Sequence, residues 1–249
     1  MHAAFVDANP ALRAIAERLG ATLPGLKLSF GHPGIQPAAL PEALAGAEIA
    51  VIDHTAFPIE IARRCEGVRD VVFLGTGARS YMDPEALAAI GIAVHLIKGY
   101  GDTAVAECAI GLLFDAARKF AAMDRAMRDG RWLRSEGTQL AGKTLGLIGY
   151  GGIAAEVARM ALGIGMKVIA WNRTTKADAP GVEFVAIERL LADSDAVSLH
   201  LLLTDDTRGF LSPEQIAAMR RGALLVNTAR GALVDEAAMI EALRCDPRR

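Results

Sequence analysis

The sequence predicts an α/β protein built on two parallel sheets, and two observations carry that reading. Short aliphatic runs, "LKLSF", "EIAVID", "DVVFLG" and "IAVHLI", are separated by Ala-rich stretches of helical pattern, and a second series, "TLGLIG", "KVIAW", "DAVSLH" and "ALLVN", follows. Such alternation makes βαβ units, and near-continuous apolar strands are the kind buried on both faces of a sheet. A chain of 249 residues, 52% of them hydrophobic and 22% charged, has material for two cores.

Between the two series lies "GYGDTAVAECAIGLLFDAARKFAAMDRAMRDG". Asp102 or Thr103 can cap its start, Gly130 can end it and no proline intervenes, so the pattern predicts one helix of roughly 26 residues. The Gly-rich stretch before it marks the domain boundary, with residues 1–98 on one side and 99–249 on the other. Further on, "SPEQIAAM" combines Ser212 as N-cap, Pro213 at the first helical position and Gln215 closing a capping box, which predicts a helix between the last two strands.

Composition excludes several function classes. The net charge of −2 advertises no nucleic-acid surface. No run of some 18 apolar residues exists, and the start "MHAAFVDANP" has neither a positive flank nor an apolar core, so the expectation is a cytoplasmic protein without a membrane span or signal peptide. Cys65, Cys108 and Cys245 form no CxxC pair, which points to free buried thiols and to no metal site.

The chemistry begins at "TLGLIGYGGIAAEVARMALGIG". Gly149, Gly151 and Ala154 occupy the small positions of G-x-G-x-x-G/A between a strand and an amphipathic helix. The first glycine makes the turn, the second lets a diphosphate approach the backbone, and the third position packs the helix on the sheet. Free N–H groups near Gly152 and Ile153, aided by the helix dipole, would hold the phosphates. The expectation is a Rossmann domain binding NAD or NADP. The next strand ends in "AWNRTT", and no acid stands about 20 residues on, where one would grip the ribose of NAD. Asn172, Arg173 and Thr174 stand there instead; a guanidinium pairs with a 2'-phosphate in a two-pronged way, which leans toward NADP, the alternative being that Arg173 lies solvated over the adenine.

Taken with "GYGDTAVAECAIGLL", "DAVSLHLLLTDDTRGFL" and "MRRGALLVNTARGALVDEAAMIEAL", these motifs resemble the D-isomer-specific 2-hydroxyacid dehydrogenases, which include glyoxylate/hydroxypyruvate reductases and phosphoglycerate dehydrogenases. The resemblance implies a flavodoxin-like substrate domain beside the Rossmann cofactor domain, hydride transfer between nicotinamide and a small 2-oxo or 2-hydroxy acid, and a homodimer packed through residues about 104 to 140. It implies that Arg230 holds the substrate's carboxylate and 2-oxo group, that Thr228 and Ala229 border the nicotinamide, and that Leu202 and Thr207 line the ribose. Leu202 departs from the family's usual proline. His54 and Thr55 after one strand, and Gly75, Thr76 and Gly77 after another, fit the loops whose amides receive a substrate carboxylate; the plainer alternative is a pair of βα turns. His200, at a strand end, matches a position serving strand and loop rather than an acid.

The family's catalytic glutamate and histidine normally follow the Thr-Ala-Arg-Gly turn, whereas this sequence leaves the pattern after "IEALR" with "CDPRR". The expectations are therefore a truncated cofactor domain, catalytic partners beyond residue 249, impaired turnover and an unpaired apolar edge at "ALLVN" that lowers solubility or takes a partner. The alternative is a non-catalytic nucleotide-binding or regulatory protein that keeps the cofactor cleft.

Overall fold

The computed structural model describes residues 1–75, 77–174 and 179–245. They divide into two compact units, Met1–Lys98 and Gly99–Arg249.

The first unit runs β1 (His2–Phe5), α1 (Pro10–Gly20), β2 (Lys27–Phe30), α2 (Leu40–Ala43), β3 (Ile49–Ile52), α3 (Ile59–Ala62), β4 (Asp70–Phe73), α4 (Pro84–Ala89) and β5 (Ala93–Leu96). Local signals start its better-defined helices. Asn9 accepts the Leu12 amide at 2.9 Å with Pro10 at the first helical position, and Asp83 caps α4 through the Glu85 and Ala86 amides, again before a proline. The strands are all parallel in the order β2-β1-β3-β4-β5, the flavodoxin-like arrangement. Leu40, Leu44, Ile52, Phe57, Val71, Phe73 and Leu87 form its core. Strand β1 escaped the sequence reading, because "HAAF" is short, half alanine and without a β-branched residue.

The second unit runs α5 (Asp102–Arg118), α6 (Phe120–Arg128), β6 (Thr144–Ile148), α7 (Gly152–Gly163), β7 (Lys167–Trp171), β8 (Val182–Phe184), α8 (Ile187–Asp193), β9 (Ala196–Leu199), α9 (Pro213–Ala218), β10 (Leu224–Asn227) and α10 (Glu236–Cys245). Its parallel sheet has the order β10-β9-β6-β7-β8, the doubly wound Rossmann order, with the strand order reversing between β6 and β9. Ala106, Ala109 and Ala117 of α5 join Ala154, Ala158 and Ala161 of α7 in one core cluster, and such small side chains let two helix backbones approach closely. The capping box of α9 forms as expected. Strand β10 pairs with β9 on one side and has no strand on the other among the described residues.

Three expectations need correction. The long helix is two helices: Lys119 adopts a left-handed conformation at φ 60°. Asp115 sits on both sides of the break: its backbone oxygen accepts the Lys119 amide at 2.6 Å in the last bond of α5, and its carboxylate accepts the Ala121 amide at 2.7 Å at the start of α6. Asp102 and Thr103 do not cap α5; Gly101 is its N-cap, without a side-chain bond, and Asp102 is the first helical residue. Of the cysteines, Cys65 is buried, with its thiol pushed up to about 11 by desolvation, but Cys108 is exposed on α5 rather than buried. No described helix is long and apolar enough to cross a membrane.

Candidate functional site

Ligands of open parallel sheets bind beyond the carboxyl ends of the strands, near the point where strand order reverses. In the second unit the loops at that rim follow β6, β7, β9 and β10, and they carry nearly all the cofactor candidates. A groove of about 1010 Å³ opens at the opposite rim, against the amino ends of β6, β7 and β8. Its Arg189 is spent on Glu183 at 2.6 Å and Asp193 at 3.2 Å, and it lies away from the strand ends where ligands bind, so it is not the site.

The three glycines of the loop after β6 are bare for three different reasons. Gly149 has φ +88°, and a Cβ there would stand 2.8 Å from the His200 carbonyl oxygen and 2.9 Å from Leu201. It makes the turn and lets the β6 and β9 loops touch. Gly152 begins α7, and a Cβ there would collide with the Asp102 carboxylate. Gly151 has φ −104°, which any residue adopts, and open space where its Cβ would point. Neither conformation nor packing asks for glycine at 151, and its open face leaves the backbone accessible. Ala154 is fully buried, as its packing position requires, and Ile153 packs partly against the same core.

Asn172 ties the next loop to this one. Its Oδ1 accepts the Tyr150 amide at 3.1 Å and its Nδ2 donates to the Thr174 carbonyl at 2.6 Å, so the side chain shapes the loop instead of reaching outward. Arg173 is exposed and makes no ion pair among the described residues. Leu202 is exposed, in the loop after β9. Thr207 was expected against a ribose, but its hydroxyl is consumed within its own loop: it donates to the Leu202 carbonyl at 2.7 Å and accepts the Thr204 amide at 2.7 Å. It shapes the loop that presents Leu202.

At the end of β10, Asn227 folds the turn. Its Oδ1 accepts the Ala229 amide at 2.9 Å and its Nδ2 donates to the Arg230 carbonyl at 2.8 Å. Arg230 is exposed, and among the described residues its guanidinium donates only to the neighbouring Ala229 carbonyl, at 2.9 Å, with no carboxylate against it. The Thr228 hydroxyl beside it is buried and has no hydrogen-bond partner among the described residues. A buried unpaired hydroxyl and an unneutralised guanidinium on one turn fit a polar, anionic ligand. With the open face of Gly151, these groups fit a nicotinamide dinucleotide.

His200 is no acid. Burial pushes it down to about 4, and its Nε2 lies 2.9 Å from the Ser198 hydroxyl. It is neutral when folded and protonates in the unfolded chain below its ordinary value near 6.5, so its contribution to stability is complete above that pH and drains away as pH falls toward 4. The loss reaches about 3 kcal/mol at most. Urea denaturation at pH 7, 5.5 and 4.5 measures it, and His200→Gln will flatten that acid limb.

In the first unit the structure corrects the substrate loops. The Asp7 carboxylate, 6% exposed, accepts the amides of Asp53 at 2.9 Å, His54 at 2.8 Å and Thr55 at 2.8 Å, and the Thr55 hydroxyl at 2.7 Å. The amides of His54 and Thr55, expected to receive a substrate carboxylate, already hold one from within the chain. The His54 ring is exposed, 2.8 Å from the Asp53 carboxylate and edge-on to Tyr81. Beside these loops lies a crevice of about 520 Å³ lined by Asp7, Asn9, Gln36, Asp53 and His54. In the other loop, Gly75 is bare because a Cβ would meet the Phe73 ring at 2.6 Å, and Gly77 precedes a single 3-10 turn over Ala78–Ser80. Thr76 lies outside the described residues. Sequence reading missed Asp7 and Asp102. "FVDANP" held a hint of the first, an acid directly after a strand, but its partners lie more than 40 residues away.

The family model described as "D-isomer specific 2-hydroxyacid dehydrogenase, NAD binding domain" matches residues 110–247. The chain is 35% identical over 216 residues to the glycerate dehydrogenase of Methylorubrum extorquens, covering 84% of this chain and 67% of that one. It is 42% identical over 153 residues to the hydroxypyruvate reductase of Thermotoga maritima, covering 61% and 50%. Among solved structures it superposes on the TT0316 protein of Thermus thermophilus with a TM-score of 0.86 at 35% identity, covering 98% and 78% of the two chains. A glyoxylate reductase from "Paecilomyes thermophila" gives 0.86 at 30%, covering 99% and 78%. The chain thus spans between half and two thirds of these two curated relatives' length.

Proposed function

Because this chain belongs to the D-isomer-specific 2-hydroxyacid dehydrogenase family, we propose that it binds a nicotinamide dinucleotide on the 149–153 loop and is an oxidoreductase of small 2-oxo and 2-hydroxy acids. The observation that carries the reading is Gly151, whose bare α-carbon faces open space at the start of a helix. The N–H groups of Gly152 and Ile153 at this helix start would hold the diphosphate of a bound dinucleotide. The dinucleotide supplies the hydride. Arg230, on the same rim, holds the substrate carboxylate and stabilises negative charge developing on the 2-oxo oxygen. Thr228 gives its unpaired hydroxyl to the same bound assembly. Arg173 favours a 2'-phosphate and hence NADPH, because a guanidinium with no ion pair among the described residues stands where an acid would select NADH.

Relatives named as acting on glyoxylate, hydroxypyruvate and glycerate make such two- and three-carbon acids the first substrates to try. His200 is neutral and turned to Ser198, and no other histidine stands in the loops after β6, β7, β9 or β10 among the described residues. A general acid supplies about two to four powers of ten in rate, so we propose that these 249 residues bind cofactor well and turn over slowly. The same observation favours the second reading, a nucleotide-binding protein without catalysis.

One experiment separates them: NADH and NADPH titrations beside oxidation assays with glyoxylate and hydroxypyruvate. Slow turnover that Arg230→Ala abolishes, with roughly 100-fold weaker oxo-acid binding and unchanged cofactor affinity, supports the enzyme. Binding with no turnover moves the chain to the second reading, and no binding of either cofactor sinks both. Exposed Leu112, Phe120, Met127, Trp132 and Leu133 on and after α5 and α6 support a homodimer through that surface, which sedimentation of wild type beside Phe120→Glu will test.

A further inference from the structure

Asp102 stands at the mouth of the diphosphate site, and neither the motif nor the comparisons account for it. Its carboxylate fills the space where a Cβ on Gly152 would stand. Gly152 is the first residue of the 12-residue α7, and Asp102 is the first residue of the 17-residue α5. One carboxylate therefore lies at the starts of two helices that pack together, and both starts are electropositive. No cation is paired with it among the described residues, and it is half-exposed. The oxygen that meets Gly152 is the far end of a short rotatable side chain; it lies against the start of α7 without a side-chain cap bond there, and no salt bridge fixes it among the described residues.

A helix start favours an anion, and here a carboxylate of the chain itself stands beside one. Resting on the cofactor reading above, we infer that Asp102 sets the affinity for the dinucleotide: its carboxylate occupies the start of α7 as a resident anion, so that the incoming diphosphate binds against a like charge. The geometry separates the neighbouring glycines accordingly. Gly151 is open toward the ligand, and Gly152 is bare to admit Asp102. Two like charges a few ångströms apart at a half-exposed site change a binding constant by about tenfold, and salt weakens the effect.

The test titrates NADH, ADP-ribose and adenosine into wild type, Asp102→Asn and Asp102→Ser by calorimetry at low and high salt. NADH and ADP-ribose share the diphosphate and will bind both variants about tenfold more tightly than wild type, with the gap narrowing in high salt; adenosine, which lacks phosphate, will show no difference. A second measurement checks the contact itself. Gly152→Ala will lower the melting temperature in wild type and lose most of that effect in the Asp102→Ser background. Equal or weaker NADH binding by the variants, with binding intact in wild type, overturns the inference and leaves the cofactor reading standing. If neither wild type nor variants bind NADH or ADP-ribose, the cofactor reading itself falls and the inference falls with it.

Discussion

Gly149→Ala will destabilise the protein by about 3 kcal/mol, lowering the melting temperature by roughly 6 to 10 °C, whereas Gly151→Ala will leave stability within about 0.5 kcal/mol and cost binding instead. The two glycines stand two residues apart in one motif, yet their environments are opposite. At 149 the backbone sits at φ +88°, and an added methyl would press on the His200 carbonyl oxygen at 2.8 Å and Leu201 at 2.9 Å. A backbone carbonyl at the end of a central strand has little room to retreat, so the β6 and β9 loops must part. At 151 the φ is ordinary and nothing stands near the position a Cβ would take. A methyl there costs nothing until a ligand arrives, and then it holds the diphosphate off the amides, weakening NADH by about tenfold or more. Thermal melts and NADH titrations of both variants decide the matter. A Gly151→Ala protein that binds NADH like wild type would remove the main support for the cofactor site.

Asp7→Ala will cost about 3 to 5 kcal/mol, an effect confined to the first unit's own stability. The carboxylate answers three consecutive amides and one hydroxyl, those of Asp53, His54 and Thr55. Alanine leaves those donors facing a partly dry crevice, and water entering from the open side offsets only some of the loss. Asp7→Asn retains one good acceptor, so a smaller penalty of about 1 to 2 kcal/mol follows, provided the amide oxygen takes the side shared by His54 and Thr55 and the NH₂ opposes the Asp53 amide. Chemical denaturation of the three proteins measures both steps. Loop amides freed in this way become able to take an added carboxylate, and formate or acetate will restore part of the stability of Asp7→Ala; the absence of any rescue would show that the loop has rearranged.

Much of the architecture was legible because it is local. The alternation of "TLGLIG", "KVIAW", "DAVSLH" and "ALLVN" with helical stretches is a periodicity, and periodicity is written along the chain. So is the capping box at Ser212, whose partner is three residues away. The failures were also local in two cases, and instructive. "VEF" is too short and "HAAF" both too short and too alanine-rich to stand out alone, and they are strands because neighbouring strands pair with them. The break at Lys119 was hidden because Asp115 reads equally well as a helix-face acid and as a cap for the next helix.

By itself the sequence determined that two parallel sheets form, that a glycine loop opens a helix after a strand, and that an arginine turn follows the last strand. It did so through spacing between near neighbours. Only the tertiary structure decided which groups at those places are spent and which are free: the amides of His54 and Thr55 are taken by Asp7, the Thr207 hydroxyl by its own loop, and the bare face of Gly152 by Asp102, while Gly151 and Arg230 are left open. The physical reason is that a donor or a charge is neutralised by whatever folds against it, and for Asp7 and Asp102 that neighbour lies tens of residues away in the chain.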